Sequence, residues 1–95
     1  QNLPTEEQLY EDRIGELFEA WMIDKQFEPE QAKILRLVKS QYIARRAPIE
    51  VSIFNEPIFQ HIGGLNYVLR VFDEGSLKTT IKELNESVFA QQYAK

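Results

Sequence analysis

Leu77, Ile81, Leu84 and Val88 recur at spacings of four, three and four residues. That spacing puts them on one side of an α-helix, which turns through about 100° per residue. Tyr10, Ile14, Leu17, Phe18 and Trp21 repeat the pattern near the start of the chain. Leu35, Val38 and Tyr42 make a third stripe with Ile34 at its edge, and Leu65, Val68, Leu69 and Phe72 make a shorter fourth. A chain built from such stripes hides its apolar surface by packing helix on helix. The predicted class is all-α: a small bundle of about four or five helices around one core, with no sheet.

Turn and cap residues set the bounds. Thr5 followed three residues later by Gln8 is a capping box, in which Thr5 accepts from a backbone N–H and Gln8 reaches back. Pro4 keeps the helix from starting earlier, so the first helix is predicted from about Glu6 to Ile23. Phe27-Glu28-Pro29-Glu30-Gln31 marks a second start, because proline fits a first helical turn, and Pro48 ends that pattern. Asn55-Glu56-Pro57 predicts a capped short helix through about Ile62, stopped by Gly63-Gly64. Gly75 is expected to break the chain again, with Ser76 capping the last helix and the tail after Tyr93 frayed. Phe18, Trp21, Leu35, Val38, Leu69 and Leu84 are the predicted core.

One segment resists this reading. Ile49, Val51 and Ile53 alternate with polar neighbours, as in a strand. No second candidate strand could pair with its backbone groups. Residues 47–54 are therefore expected to be extended and docked through the isoleucines and Phe54.

The 95 residues suffice for one domain, 1–95, and not for two. The chain opens on Gln1 with its only methionine at Met22, and reads as a fragment of a longer protein. No apolar run approaches the 18 or so residues of a membrane span. There is no cysteine, which excludes disulfides and thiolate sites and fits a cytoplasmic setting. The net charge of −4 argues against a general nucleic-acid grip.

His61 is the only histidine and has no carboxylate at ligand spacing, so it reads as a surface residue and no metal site is assigned. Gly63-Gly64 lacks a Walker or GxGxxG context and reads as a tight turn, not as a phosphate nest. Glu6-Glu7 and Glu11-Asp12 lie at a helix start, where carboxylates complement the helix dipole. No catalytic or cofactor-binding residue is assigned.

The charge is segregated. Residues 5–24 carry Glu6, Glu7, Glu11, Asp12, Glu16, Glu19 and Asp24 against Arg13 alone, and residues 31–48 carry Lys33, Arg36, Lys39, Arg45 and Arg46 with no acid. Arg36, Lys39 and Arg46 fall on one flank of the second helix. They are the candidate interaction surface, facing either the acids of helix one or an acidic patch on a partner.

The order Leu17-Phe18-Glu19-Ala20-Trp21, Phe27-Glu28-Pro29-Glu30-Gln31, Phe54-Asn55-Glu56-Pro57-Ile58-Phe59, Gly63-Gly64-Leu65 and Leu84-Asn85-Glu86 resembles the C-terminal domain of the R (restriction, motor) subunit of type I restriction enzymes. The likeness spans about Phe18 to Phe89. It implies a parent subunit with an endonuclease domain and an ATP-dependent DNA translocase, using ATP and Mg and assembling with modification and specificity subunits. The parent would be a site-specific deoxyribonuclease. This domain would be a docking module with no activity or cofactor of its own, with DNA a partner through the parent complex. A nucleic-acid-contacting helical module of a helicase-like protein is the alternative, and the basic flank would carry it.

Overall fold

A computed structural model of the chain describes residues 3–93, and side chains as far as residue 90. The tail beyond Tyr93, where fraying is expected, lies outside the described residues. Five α-helices and one 3₁₀ turn follow in order: α1 (Glu6–Lys25), α2 (Pro29–Arg45), the 3₁₀ turn (Val51–Asn55), α3 (Pro57–Gln60), α4 (Gly64–Val71) and α5 (Glu74–Tyr93). No strand occurs among the described residues.

α1 begins where Thr5 predicts. The Thr5 hydroxyl accepts the Gln8 backbone N–H at 3.0 Å. The Gln8 side chain turns forward to donate to Asp12 at 3.1 Å, so it does not close the box. At α2 the return contact is made: Gln31 Oε1 accepts the Glu28 N–H at 3.1 Å. Gln26 and Arg46 end α1 and α2 in the left-handed conformation common at helix C-termini. Glu19 pairs with Arg36 and Tyr10 with Arg46. These pairs run in opposite senses along the two helices, so α1 and α2 form an antiparallel hairpin.

α5 packs against α1 and the 3₁₀ turn, while α3, α4 and the 3₁₀ turn cluster together, with α4 against α2. One continuous core results, with Ile14, Phe18, Leu35, Val38, Phe54, Phe59, Val68, Leu77, Leu84 and Val88 fully buried. Aromatic contacts stitch it together. Phe54 and Phe59 meet edge to face at 4.7 Å, and a chain of rings runs from Trp21 to Phe27 (5.2 Å) and on to Phe72 (6.3 Å). Of the predicted core, Leu69 is only partly buried. Its neighbours Val68 and Phe72 point inward instead.

The segment predicted as extended differs from expectation in its second half. Residues 47–50 are non-helical, and Glu50 is extended. From Val51 the chain coils into the 3₁₀ turn, which pairs backbone groups locally: Ile53 N–H to Glu50 C=O at 3.0 Å and Glu56 N–H to Ile53 C=O at 2.9 Å. Lacking a strand partner, the backbone satisfies itself by curling. Ile49, Ile53 and Phe54 are buried, as expected. Two boundaries also move. Asn55 belongs to the 3₁₀ turn and Glu56 precedes α3, which ends at Gln60. α5 starts at Glu74, so Gly75 lies inside its first turn and does not break it.

The cap of α5 is Asp73. Its Oδ1 accepts the Ser76 N–H at 2.8 Å, and its Oδ2 accepts the Ser76 hydroxyl at 2.9 Å. These bonds favour the ionised form, the backbone N–H most of all, and hold the Asp73 carboxyl below its usual value. A depressed folded-state pKa gives stability that is present above the unfolded value and lost as pH falls through the folded one. Asp73→Asn is therefore expected to lower the thermal midpoint at pH 7. The gap from the parent should close as the pH is taken down through the carboxylate range. A gap independent of pH would refute this account.

Gly63 and Gly64 both have positive φ, +102° and +70°. A Cβ on Gly63 would lie 2.8 Å from Tyr67 Cβ. Conformation and space both demand glycine there. Gly63→Ala should cost about 1–3 kcal/mol in chemical denaturation, from left-handed strain plus the clash. An unchanged midpoint would show that the turn relaxes freely.

Candidate interaction surface

The sequence-predicted basic residues all meet α1. Arg36 Nε and a terminal guanidinium nitrogen each donate to Glu19 at 3.2 Å, a two-point contact. Lys39 Nζ reaches the same carboxylate at 3.6 Å. Arg46 lies one residue past α2, where its left-handed backbone swings the guanidinium over the Tyr10 ring, 4.2 Å from the centroid. The three cations thus line the α1–α2 seam: Arg36 and Lys39 bind Glu19, while Arg46 covers the Tyr10 ring.

The hydrogen bond from Arg36 holds the Glu19 carboxyl below its ordinary value, and the same contact raises Arg36. Both groups remain largely solvated, so the pair adds little to stability. The Arg36 side chain keeps 53% of its exposure and Lys39 keeps 24%. Arg45 pairs with Glu56 across to the start of α3. Lys25 pairs with Glu83 at 3.2 Å, tying the end of α1 to α5.

His61 is exposed at the end of α3, and no group of three or more potential metal ligands occurs among the described residues. No helix among them is long and apolar enough to cross a membrane. Gly63 N–H donates to Gln60 C=O at 3.1 Å, and the Gln60 side-chain amide would lie 3.0 Å from a Cβ on Gly64, so the diglycine turn is packed by its own neighbours.

One contact is not legible in the chain's periodicity. The Asn85 side chain clamps the backbone of Ile49: its Oδ1 accepts the Ile49 N–H at 3.0 Å, and its Nδ2 donates to the Ile49 C=O at 2.8 Å. An asparagine amide mimics a peptide edge, so α5 offers the extended segment the pairing that a neighbouring strand would give. Tyr67 makes a similar long-range tie, its hydroxyl donating to Glu30 at 2.7 Å to join α4 to the first turn of α2.

A model of the EcoEI R protein C-terminal family matches residues 5–88. The chain belongs to this family. It is thus a C-terminal region of the R subunit of a type I restriction enzyme, a nuclease that works as a multi-subunit complex. No curated protein and no solved structure matched the chain. The segments that carry the restriction-subunit resemblance are architectural. Glu28-Pro29-Glu30-Gln31 opens α2 and Phe54 meets Phe59 edge to face, while Gly63-Gly64 makes the left-handed turn. Leu84-Asn85-Glu86 supplies one buried leucine and the clamp on Ile49.

Proposed function

We propose that this chain is the assembly domain of its R subunit, docking the subunit onto the modification and specificity subunits and so supporting ATP-dependent DNA translocation and cleavage carried out elsewhere in the subunit. The observation that supports this reading is the use of the family's motif residues. The aromatics, the diglycine, Gln31 and Asn85 build caps, turns and core, which specifies a rigid helical body rather than a reaction centre. On this reading the domain spans 1–95, holds neither ATP nor Mg, and works in the cytoplasm.

The test compares the whole R subunit with one truncated before this domain. Truncation is expected to abolish co-sedimentation with the modification–specificity core. A truncated subunit that assembles normally would refute docking.

The half-exposed basic flank is the observation that favours the nucleic-acid alternative. Three phosphate contacts on a net-acidic chain give weak, salt-sensitive affinity. The chain is therefore expected to show no measurable duplex DNA binding near physiological salt. Micromolar binding, lost when Arg36, Lys39 and Arg46 are all changed to Glu, would favour the alternative.

A further inference from the structure

α1 buries Ile14, Phe18, Trp21 and Met22 toward the core and turns an opposite face outward. That outer face has a pattern of its own. Leu9, Arg13, Glu16, Ala20 and Ile23 follow one another at steps of four, three, four and three, and all are exposed. Steps of this kind keep a line of residues on one side of a helix, the arrangement a second helix meets in a coiled-coil seam. Leu9 is 55% exposed and Ile23 75% exposed. Fourteen residues apart, they stand about 21 Å from each other along the axis. Leu9 also walls a shallow depression of about 260 Å³ with Glu6, Tyr10 and Arg13.

Glu6, Asp12, Glu16 and Asp24 lie within about 60° of the Leu9 direction. Together with Arg13 they leave this sector at −3, four carboxylates against one guanidinium. None of the four forms an ion pair among the described residues. Of the cations of α2, Arg36 and Lys39 are committed to Glu19, on the seam side of α1, and Arg45 to Glu56. The charge of the outer face therefore stays uncompensated.

From this we infer that the outer face of α1 receives a basic amphipathic helix of a partner subunit, with Leu9 and Ile23 as the two apolar anchors and the four carboxylates facing its cations. The inference rests on the docking function proposed above and names the surface and the partner's chemistry. Charge decides the occupant. A second copy of the chain in a two-fold contact would set acid against acid. Nucleic acid would be repelled by the same carboxylates. Acidic rims steer a basic partner and make its association salt-dependent, while the apolar anchors slow its release.

The experiment uses full-length R subunit in four forms: parent, Leu9→Glu with Ile23→Glu, Glu6→Lys with Asp12→Lys and Glu16→Lys, and the subunit truncated before this domain. Binding to an immobilised modification–specificity core is measured at low and high salt. The apolar pair of changes should weaken binding by about tenfold or more, as loss of central anchors does. The charge reversals should slow association and flatten its salt dependence. Both variants should keep the parent's circular dichroism, since every altered side chain is exposed. If truncation abolishes binding but both variants bind like the parent, docking stands and the α1 face is overturned. If truncation leaves binding intact, the docking function itself fails. Concentration-dependent dimerisation of the parent, lost in the apolar variant, would assign the face to a second copy and overturn the inference.

Discussion

Trp21→Ala is expected to remove a large share of the chain's folding stability. Trp21 is 8% exposed near the end of α1, packs on Phe27 at 5.2 Å, and through Phe27 reaches Phe72 at the end of α4. Truncating a buried aromatic to alanine costs about 3–5 kcal/mol, from lost transfer free energy plus the cavity left behind. A chain of 95 residues holds about 5–14 kcal/mol in all, at about 0.05–0.15 kcal/mol per residue. The loss is therefore a large share of the total, and the substituted chain should unfold at a much lower urea concentration. Because the ring chain joins α1, the α1–α2 connection and α4, unfolding should remain one cooperative step. Trp21→Phe keeps the aromatic contact and should cost less than half as much. A loss under about 1 kcal/mol for the alanine change would place the indole on an accessible surface instead of in the core.

Much of this architecture is legible locally, and the exceptions share one cause. Thr5, Pro29 and the apolar stripes act within a turn or two of their own positions, so spacing alone locates α1, α2 and the body of α5. Ile49, Val51 and Ile53 carry a period of two that is equally local, yet the segment coils. What decides its shape is the partner its backbone finds: Ile49, in the extended half, finds Asn85, 36 positions away, and the residues from Val51 find one another by coiling. Asp73 and Ser76 are both good caps, three residues apart. Gly75 looks like a breaker between them, but within an exposed first helical turn it breaks nothing, and the earlier acid takes the cap.

The basic flank of α2 shows the same division. Its periodicity is visible in the sequence and places Arg36 and Lys39 together. Seven acids in α1 and its approach were available to them, and only the geometry of the hairpin selects Glu19. That selection leaves the outer acids of α1 unanswered, which the sequence could not show because it depends on which way each helix faces.

Asn85→Leu is expected to cost about 2–4 kcal/mol although it replaces a polar side chain with an apolar one. The change strands the N–H and the C=O of Ile49 at once, and an unpaired buried backbone group costs about 1–3 kcal/mol. Some relief is available, because Ile49, Ile81 and Asn85 border an open groove of about 460 Å³ through which water can reach the backbone. Asn85→Asp separates the two halves of the clamp. An ionised carboxylate still accepts the Ile49 N–H but faces the Ile49 C=O with no proton to donate, whereas a protonated carboxyl can do both. Folding should therefore favour protonation and raise the pKa of the introduced carboxyl above its unfolded value. The native state then binds more protons than the unfolded state, so the defect relative to the parent is largest at neutral pH. It shrinks as the pH falls through the raised value. Parallel urea titrations of the parent, Asn85→Leu and Asn85→Asp at pH 7 and in the acid range would reveal this. Recovery confined to the Asn85→Asp chain is the expected result, and equal, pH-independent losses in both variants would mean that Asn85 acts by packing and not through its two hydrogen bonds.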